Sequence, residues 1–235
     1  MPVSKATFLS LLQLLRPHQW CKNGLLFLPL VFAHRITEWA LLEKTFWAAA
    51  CFSLMASGVY VLNDYLDVAA DRLHPQKKYR PLASGKIPLG WAPLLSKVLM
   101  GISLLASTVI LPFLFSVLLI VYLLANVFYS KFLKKIPVVD VFVLTLMFIL
   151  RILSGGVAGG IPVSLWLLGF SLFFFLSIAF AKRVQELSLA EKSAQKNERN
   201  VRGYHPGDLH RISRLGMVSG LLSVVVLTLY VTVGE

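Results

Sequence analysis

Apolar residues run along this chain in long unbroken stretches, and the polar residues gather between them. Seven such stretches lie near residues 20–34, 45–64, 91–110, 112–129, 138–158, 163–181 and 213–233. A lipid interior about 30 Å thick offers no partner to open backbone groups, so each stretch predicts a membrane-spanning α-helix. The first is short and interrupted by Pro29, and it must draw on its flanks to cross. The predicted fold class is all-α, a polytopic transmembrane helical bundle of about seven spans. The only long polar stretch is 182–212, and no soluble second domain is visible, so residues 1–235 read as a single integral-membrane domain.

Composition agrees: 57% of residues are hydrophobic and only 14% charged, where a soluble domain carries about a quarter. The net charge of +12 would suggest nucleic acid, but its placement points elsewhere. Lys5, Arg16 and Lys22 lead into the first stretch; Arg72, Lys77, Lys78, Arg80 and Lys86 follow the second. Lys131, Lys134 and Lys135 follow the fourth; Lys182, Arg183, Lys192, Lys196, Arg199, Arg202, Arg211 and Arg214 follow the sixth. These alternate loops hold 19 of the 23 basic residues, and the opposite loops hold Arg35 and Lys44. The positive-inside rule then puts the N-terminus and the basic loops in the cytoplasm, and the charge needs no nucleic-acid partner. Cys21 and Cys51 have neither metal-ligand nor redox spacing and read as reduced packing residues. No small-residue cleavage site follows an apolar leader, so no removable signal peptide is expected.

The candidate chemistry sits where the second stretch leaves the membrane, in Asn63-Asp64-x-x-Asp67-x-x-x-Asp71. At 100° per residue the three aspartates fall within an arc of about 60° on one helical face. Carboxylates so close repel unless a cation sits among them. Magnesium takes oxygen ligands, commonly one or two carboxylates together with substrate phosphates, so Asn63, Asp64, Asp67 and Asp71 are the candidate Mg²⁺ ligands. A basic loop follows at once, with Arg72, Lys77, Lys78 and Arg80 set among Pro75, Pro81 and Gly85. Its cations suit diphosphate oxygens, Arg80 with the option of a two-pronged grip.

Polar residues inside the apolar stretches add candidates. Arg151 lies deep in the fifth and must face a cavity or partner rather than lipid. Asp140 returns to nearly the same face eleven residues earlier, about 16 Å along the axis, so the two would line one polar groove. Asn126 and Tyr129 share a face at the end of the fourth stretch.

With its NDxxDxxxD helix end and the Arg80-Pro81-x-x-Ser84-Gly85 loop, the sequence resembles the UbiA superfamily of intramembrane prenyltransferases. Within it the chain is similar to the phosphoribosyltransferase branch, which acts on decaprenyl-type lipid phosphates. That likeness is carried by Arg16 through Asn23, Asp71 through Pro75 and on to Pro81, Tyr129 through Lys134, Phe148 through Arg151, Lys182-Arg183-x-x-Glu186-Leu187, and Tyr204. Aromatic prenyltransferases of the superfamily place a second aspartate motif after the sixth span. Here that position reads Lys182-Arg183-Val184-Gln185-Glu186, with Lys182 and Glu186 spaced to share a face.

The resemblance implies a Mg²⁺-dependent transferase of a bacterial-type inner membrane, with its active site cytoplasmic. The donor would be phosphoribosyl diphosphate and the acceptor a polyprenyl phosphate, with pyrophosphate released. Asp64, Asp67, Lys77 and Arg80 would act on the leaving diphosphate. Lys22, Asn23, Arg72, Tyr129, Lys134, Arg151, Lys182, Arg183 and Glu186 are the candidate substrate contacts. The alternatives are prenyl transfer from a polyprenyl diphosphate to an aromatic acceptor, a transporter, or a non-catalytic remnant. The superfamily's usual nine helices against seven here imply that two are missing, or that a partner or second copy completes the assembly.

Overall fold

The computed structural model describes residues 5–192 and 203–233, all of it helix and loop with no strand among them. In chain order the α-helices are α1 (Lys5–Leu15), α2 (Leu28–Phe32), α3 (Trp39–Leu66), α4 (Val68–Leu73), α5 (Trp91–Ile110), α6 (Phe113–Lys131), α7 (Val139–Gly159), α8 (Leu165–Lys192) and α9 (Leu209–Val233). Six of these are long and apolar enough to cross a membrane: α3, α5, α6, α7, α8 and α9. They answer to the second through seventh predicted stretches. Lys196, Arg199 and Arg202, counted above toward the cytoplasmic side, lie outside the described residues.

The first predicted span differs in kind from a regular transmembrane α-helix. Residues Pro17–Phe27 form a 3₁₀ helix of 11 residues, and α2 adds 5. Rise explains how so short a run keeps pace with α3. Arg16, Trp20 and Asn23 are tied in order to Asp64, Ser57 and Ser53 of α3, at 2.6, 3.0 and 2.9 Å. Over those ties α3 climbs about 16 Å. The 3₁₀ rise of about 2.0 Å per residue gives about 14 Å for the shorter stretch, where an α-helix would give about 10 Å. By the same arithmetic the 3₁₀ helix and α2 together cover roughly 30 Å, close to the hydrocarbon thickness.

The described residues form two compact units, one reaching to Asn126 and including Ser154–Ile161, the other of Val127–Leu153 and the residues from Pro162 on. In the first unit α3 runs against the 3₁₀ segment and α5. The α3–α5 seam is closed by serines: Ser96 donates to the Gly58 carbonyl at 2.9 Å and Ser103 to that of Cys51 at 2.7 Å. Small residues bring the backbones close enough for these bonds, which replace the water that lipid lacks. Phe52 of α3 meets Phe115 and Tyr122 edge-on and fills the centre of this unit. Gly155 of α7 lies against the Leu26 carbonyl, so closely that a Cβ would overlap it. Gly155→Ala is therefore expected to lower stability by about 1–3 kcal/mol through overpacking, read as a drop in melting temperature of the detergent-solubilised protein.

In the second unit α8 packs along α9, and Val141, Leu176, Ala179, Phe180, Leu187, Tyr204 and Ile212 form its core. Helix α8 continues past the predicted edge at 181 because its polar extension still buries Arg183 and Leu187.

Candidate functional site

The aspartate motif lies at the end of α3, where the chain bends at Asp67 and restarts as α4. Backbone bonds Asp67 N–H to Asn63 O (2.9 Å) and Asp71 N–H to Asp67 O (2.8 Å) carry the helical pitch across the bend. Asp64 and Asp71, seven residues apart, therefore stay on one face, and both are buried. Their carboxylates converge on one nitrogen: Arg80 Nη1 lies 3.1 Å from Asp64 Oδ1 and 2.7 Å from Asp71 Oδ2. Arg16 Nη2 reaches the same Asp64 oxygen at 2.6 Å, with its guanidinium 5.1 Å from the centre of the Tyr60 ring. The repulsion expected among the carboxylates is thus relieved by two guanidinium groups.

Arg80 is aimed by its neighbours. Pro81, Leu82 and Ala83 are buried, and Leu82 packs with Leu14, Val61, Ile87 and Ala92. With these anchored, the arginine one residue earlier turns back over α3 and α4. Arg72 spends its Nε–H on the Ala83 carbonyl at 3.3 Å, bracing the same loop. Lys77 is exposed on a single 3₁₀ turn, Lys77–Tyr79. Asn63 and Asp67 are half-buried at the helix end, and no trio of His, Cys, Asp or Glu among the described residues is close enough to hold a metal ion. Lys22 is half-buried; Asn23 is buried and donates to Ser53, a packing role rather than an open contact.

In the second unit the structure groups Tyr129, Arg183 and Glu186 with Asp140 and Tyr204. Arg183, 1% exposed, donates from Nε to Asp140 Oδ2 at 2.5 Å, from Nη1 to Glu186, and from Nη2 to the Tyr129 hydroxyl at 3.3 Å. Asp140, 0% exposed, also accepts the Tyr204 hydroxyl at 2.5 Å. That hydroxyl in turn accepts the Val138 N–H at 2.7 Å. Val138 is held at φ 68°, which a β-branched residue rarely adopts, and Gly203 at φ 81° lies against the Lys135 carbonyl. Burial first, and then the bond to Asp140, push the Tyr204 hydroxyl above its ordinary range, which keeps it a protonated donor.

Two expectations change here. Glu186 pairs with Arg183 rather than with Lys182, which is exposed. Asp140 serves Arg183 and Tyr204 rather than a groove shared with Arg151. Arg151 is buried as expected, donating to the Met147 carbonyl at 3.0 Å with its guanidinium 5.6 Å from the Phe148 ring centre. Lys134 is half-buried in the loop before α7.

This arrangement sits in a chain whose residues 25–196 match the sequence profile of the UbiA prenyltransferase family. The chain belongs to the UbiA prenyltransferase family. It is 37% identical over 81% of its length to the decaprenyl-phosphate phosphoribosyltransferase of Mycobacterium tuberculosis, covering 64% of that protein. It is 34% identical over 97% of its length to the nodulation protein NoeC of Azorhizobium caulinodans, covering 73% of it. The chain spans 42% to 73% of the length of these and one further relative. A UbiA homologue from Archaeoglobus fulgidus bound to GPP and Mg²⁺ shares its fold, with a TM-score of 0.72 at 23% identity over 92% of this chain and 77% of that one. As a UbiA-family protein with six long apolar helices, this is a multi-pass membrane protein.

Two residues outside the aspartate motif, present in the sequence only among the stretches that carry the family likeness, join these clusters. Arg16 lies 48 residues from Asp64, ahead of the apolar run. Tyr204 lies within the long polar stretch 182–212, yet it is buried.

Proposed function

We propose that this UbiA-family protein transfers a 5-phosphoribosyl group from phosphoribosyl diphosphate to the phosphate of a polyprenyl lipid. The observation that carries the reading is the convergence of Asp64 and Asp71 on one nitrogen, Arg80 Nη1, with Arg16 alongside. Two carboxylate oxygens aimed at a single point fit one divalent cation, whose remaining positions would go to diphosphate oxygens and water. Asp64 and Asp71 would hold Mg²⁺, with Asn63 and Asp67 beside them at the helix end; bound there, the ion supplies Lewis-acid neutralisation of the diphosphate. The relatives named decaprenyl-phosphate phosphoribosyltransferase, at 33–37% identity, support this donor and acceptor.

In the reaction the bond from ribose C1 to the diphosphate oxygen breaks, its electron pair leaving with pyrophosphate. A new bond forms from C1 to a lipid phosphate oxygen. Arg80 and Lys77 neutralise charge growing on the leaving group, where a guanidinium is worth more than in water. The nucleophile is already an anion, so no general base is needed. Lys22, Lys134 and Lys182 are each candidates to hold the lipid phosphate or the ribose 5-phosphate, whereas Arg183 donates to Asp140, Glu186 and Tyr129. The distribution of Lys and Arg along the loops supports a cytoplasmic N-terminus and site in a bacterial inner membrane.

Membranes carrying the protein, given labelled phosphoribosyl diphosphate and polyprenyl phosphate, should transfer label to the lipid fraction only with Mg²⁺ present. Label remaining water-soluble with Mg²⁺ supplied would overturn the reading. The second reading is prenyl transfer from a polyprenyl diphosphate, favoured by the GPP-bound fold relative. It predicts instead a lipid-diphosphate donor and an aromatic acceptor in the same assay.

A further inference from the structure

Asp64 is bound twice, and neither arginine uses its strongest grip. A guanidinium binds a carboxylate best through two parallel N–H bonds. Arg80 instead inserts the single nitrogen Nη1 between Asp64 and Asp71, and Arg16 touches Asp64 through Nη2. Exposure is layered as well. The aspartate side chains are 4–5% exposed, while the arginine side chains bonded to them are 22% (Arg16) and 30% (Arg80) exposed. A cation from solvent reaches Asp64 and Asp71 only when these arginines move.

Charge favours that movement in one circumstance. The two buried aspartates and the two arginines bonded to them sum to zero, so this group of four is balanced without a metal. A divalent cation entering between the aspartates releases two guanidinium groups, and this group of four then carries a surplus of two positive charges, offset in part by Asp67 beside it. A diphosphate would be drawn to the freed arginines as well as to the ion. Arg16 has a second resting contact that does not depend on Asp64, over the Tyr60 ring. It also stands at a pivot, in left-handed backbone (φ 53°) between α1 and the 3₁₀ segment.

We propose that Arg16, together with Arg80, is an exchangeable counter-ion: it occupies Asp64 in the metal-free protein and turns to the diphosphate once a divalent cation takes its place. This rests on the metal–diphosphate reading of the site and adds Arg16 to it. It makes metal and diphosphate reciprocally dependent, each tightening the other, by linkage. Divalent cation alone should bind weakly because it must displace the protein's own cations.

The test measures Mn²⁺ binding by electron paramagnetic resonance on the purified full chain in detergent, with and without methylenediphosphonate. Alone, Mn²⁺ should bind Arg16→Gln about tenfold more tightly than the unaltered protein, because one competitor is gone. With saturating Mn²⁺, retention of labelled methylenediphosphonate should fall about tenfold in the same variant. Arg16→Lys, which keeps the charge, should remain close to the unaltered protein, and Arg80→Gln repeats the test if Arg16→Gln does not fold. Unchanged or weaker Mn²⁺ binding in both glutamine variants, with Mn²⁺ still lost in Asp64→Asn, overturns the exchange and leaves the metal site standing. Mn²⁺ binding that ignores Asp64→Asn, with or without the diphosphonate, overturns the metal site and the exchange together.

Discussion

Asp140→Ala is expected to destabilise this protein by about 3–5 kcal/mol, the range for breaking a buried ion pair by removing one partner. The reason is what it leaves behind. Arg183 is fully buried and holds its charge against Asp140 and Glu186. Without Asp140 its Nε–H has no carboxylate, and the Tyr204 hydroxyl loses its acceptor. No buried side-chain polar atom among the described residues lacks a partner, so the variant would introduce the first such defects. At roughly 2–4 °C per kcal/mol for a chain of this size, the melting temperature should fall by about 10 °C or poor accumulation in membranes should take its place. Tyr204→Phe, which removes one hydroxyl, should cost only about 1–3 kcal/mol. Asp140→Leu combined with Arg183→Met should recover much of the loss, since replacing a whole buried pair with apolar groups is often close to neutral. A melting point for Asp140→Ala within 2 °C of the unaltered protein would show that the pair holds nothing together.

This pair also marks where sequence reasoning stops. Spacing along one helix is legible, and it brought Asp64 and Asp71 to one face two turns apart, as the shared Arg80 nitrogen bears out. Spacing alone also put Asp140 in a groove with Arg151 on α7 and Glu186 on a face with Lys182 on α8. Both acids are taken up by one residue, because Arg183 reaches Glu186 three residues on and Asp140 across 43 residues of sequence. Positions i+3 and i+4 both face a helical neighbour, and only the packing of the second unit chooses between them. The contact of Arg16 with Asp64 was hidden for the same reason, since the two lie 48 residues apart. Length along the chain was legible for α3 and α5–α9, whose apolar runs exceed what a membrane needs. It failed for the first span because apolar counting assumes the α-helical rise, and Pro17–Phe27 adopts the longer 3₁₀ rise.

Asp64→Asn should leave the protein folded and remove its turnover, the opposite outcome from substituting Asp140. Both aspartates are buried and both are bonded to arginine. Their partners differ. Arg183 is sealed, so losing Asp140 strands a charge; Arg16 and Arg80 are partly exposed, so on losing Asp64 they can turn to water. The stability loss for Asp64→Asn should therefore be small, about 1 kcal/mol, comparable with a partly exposed pair. The effect on transfer should be large, about a thousandfold or more in initial rate, because the substitution removes the negative charge from one of the two side chains that converge on the proposed cation position. Asp71→Asn should behave alike, since it supplies the other oxygen to the same point. Measured side by side, label transfer to lipid and melting temperature should separate the two aspartates cleanly: Asp140 variants lose melting temperature, Asp64 variants lose rate. An Asp64→Asn protein that keeps its rate within tenfold would remove the diphosphate site from the end of α3, whatever its stability.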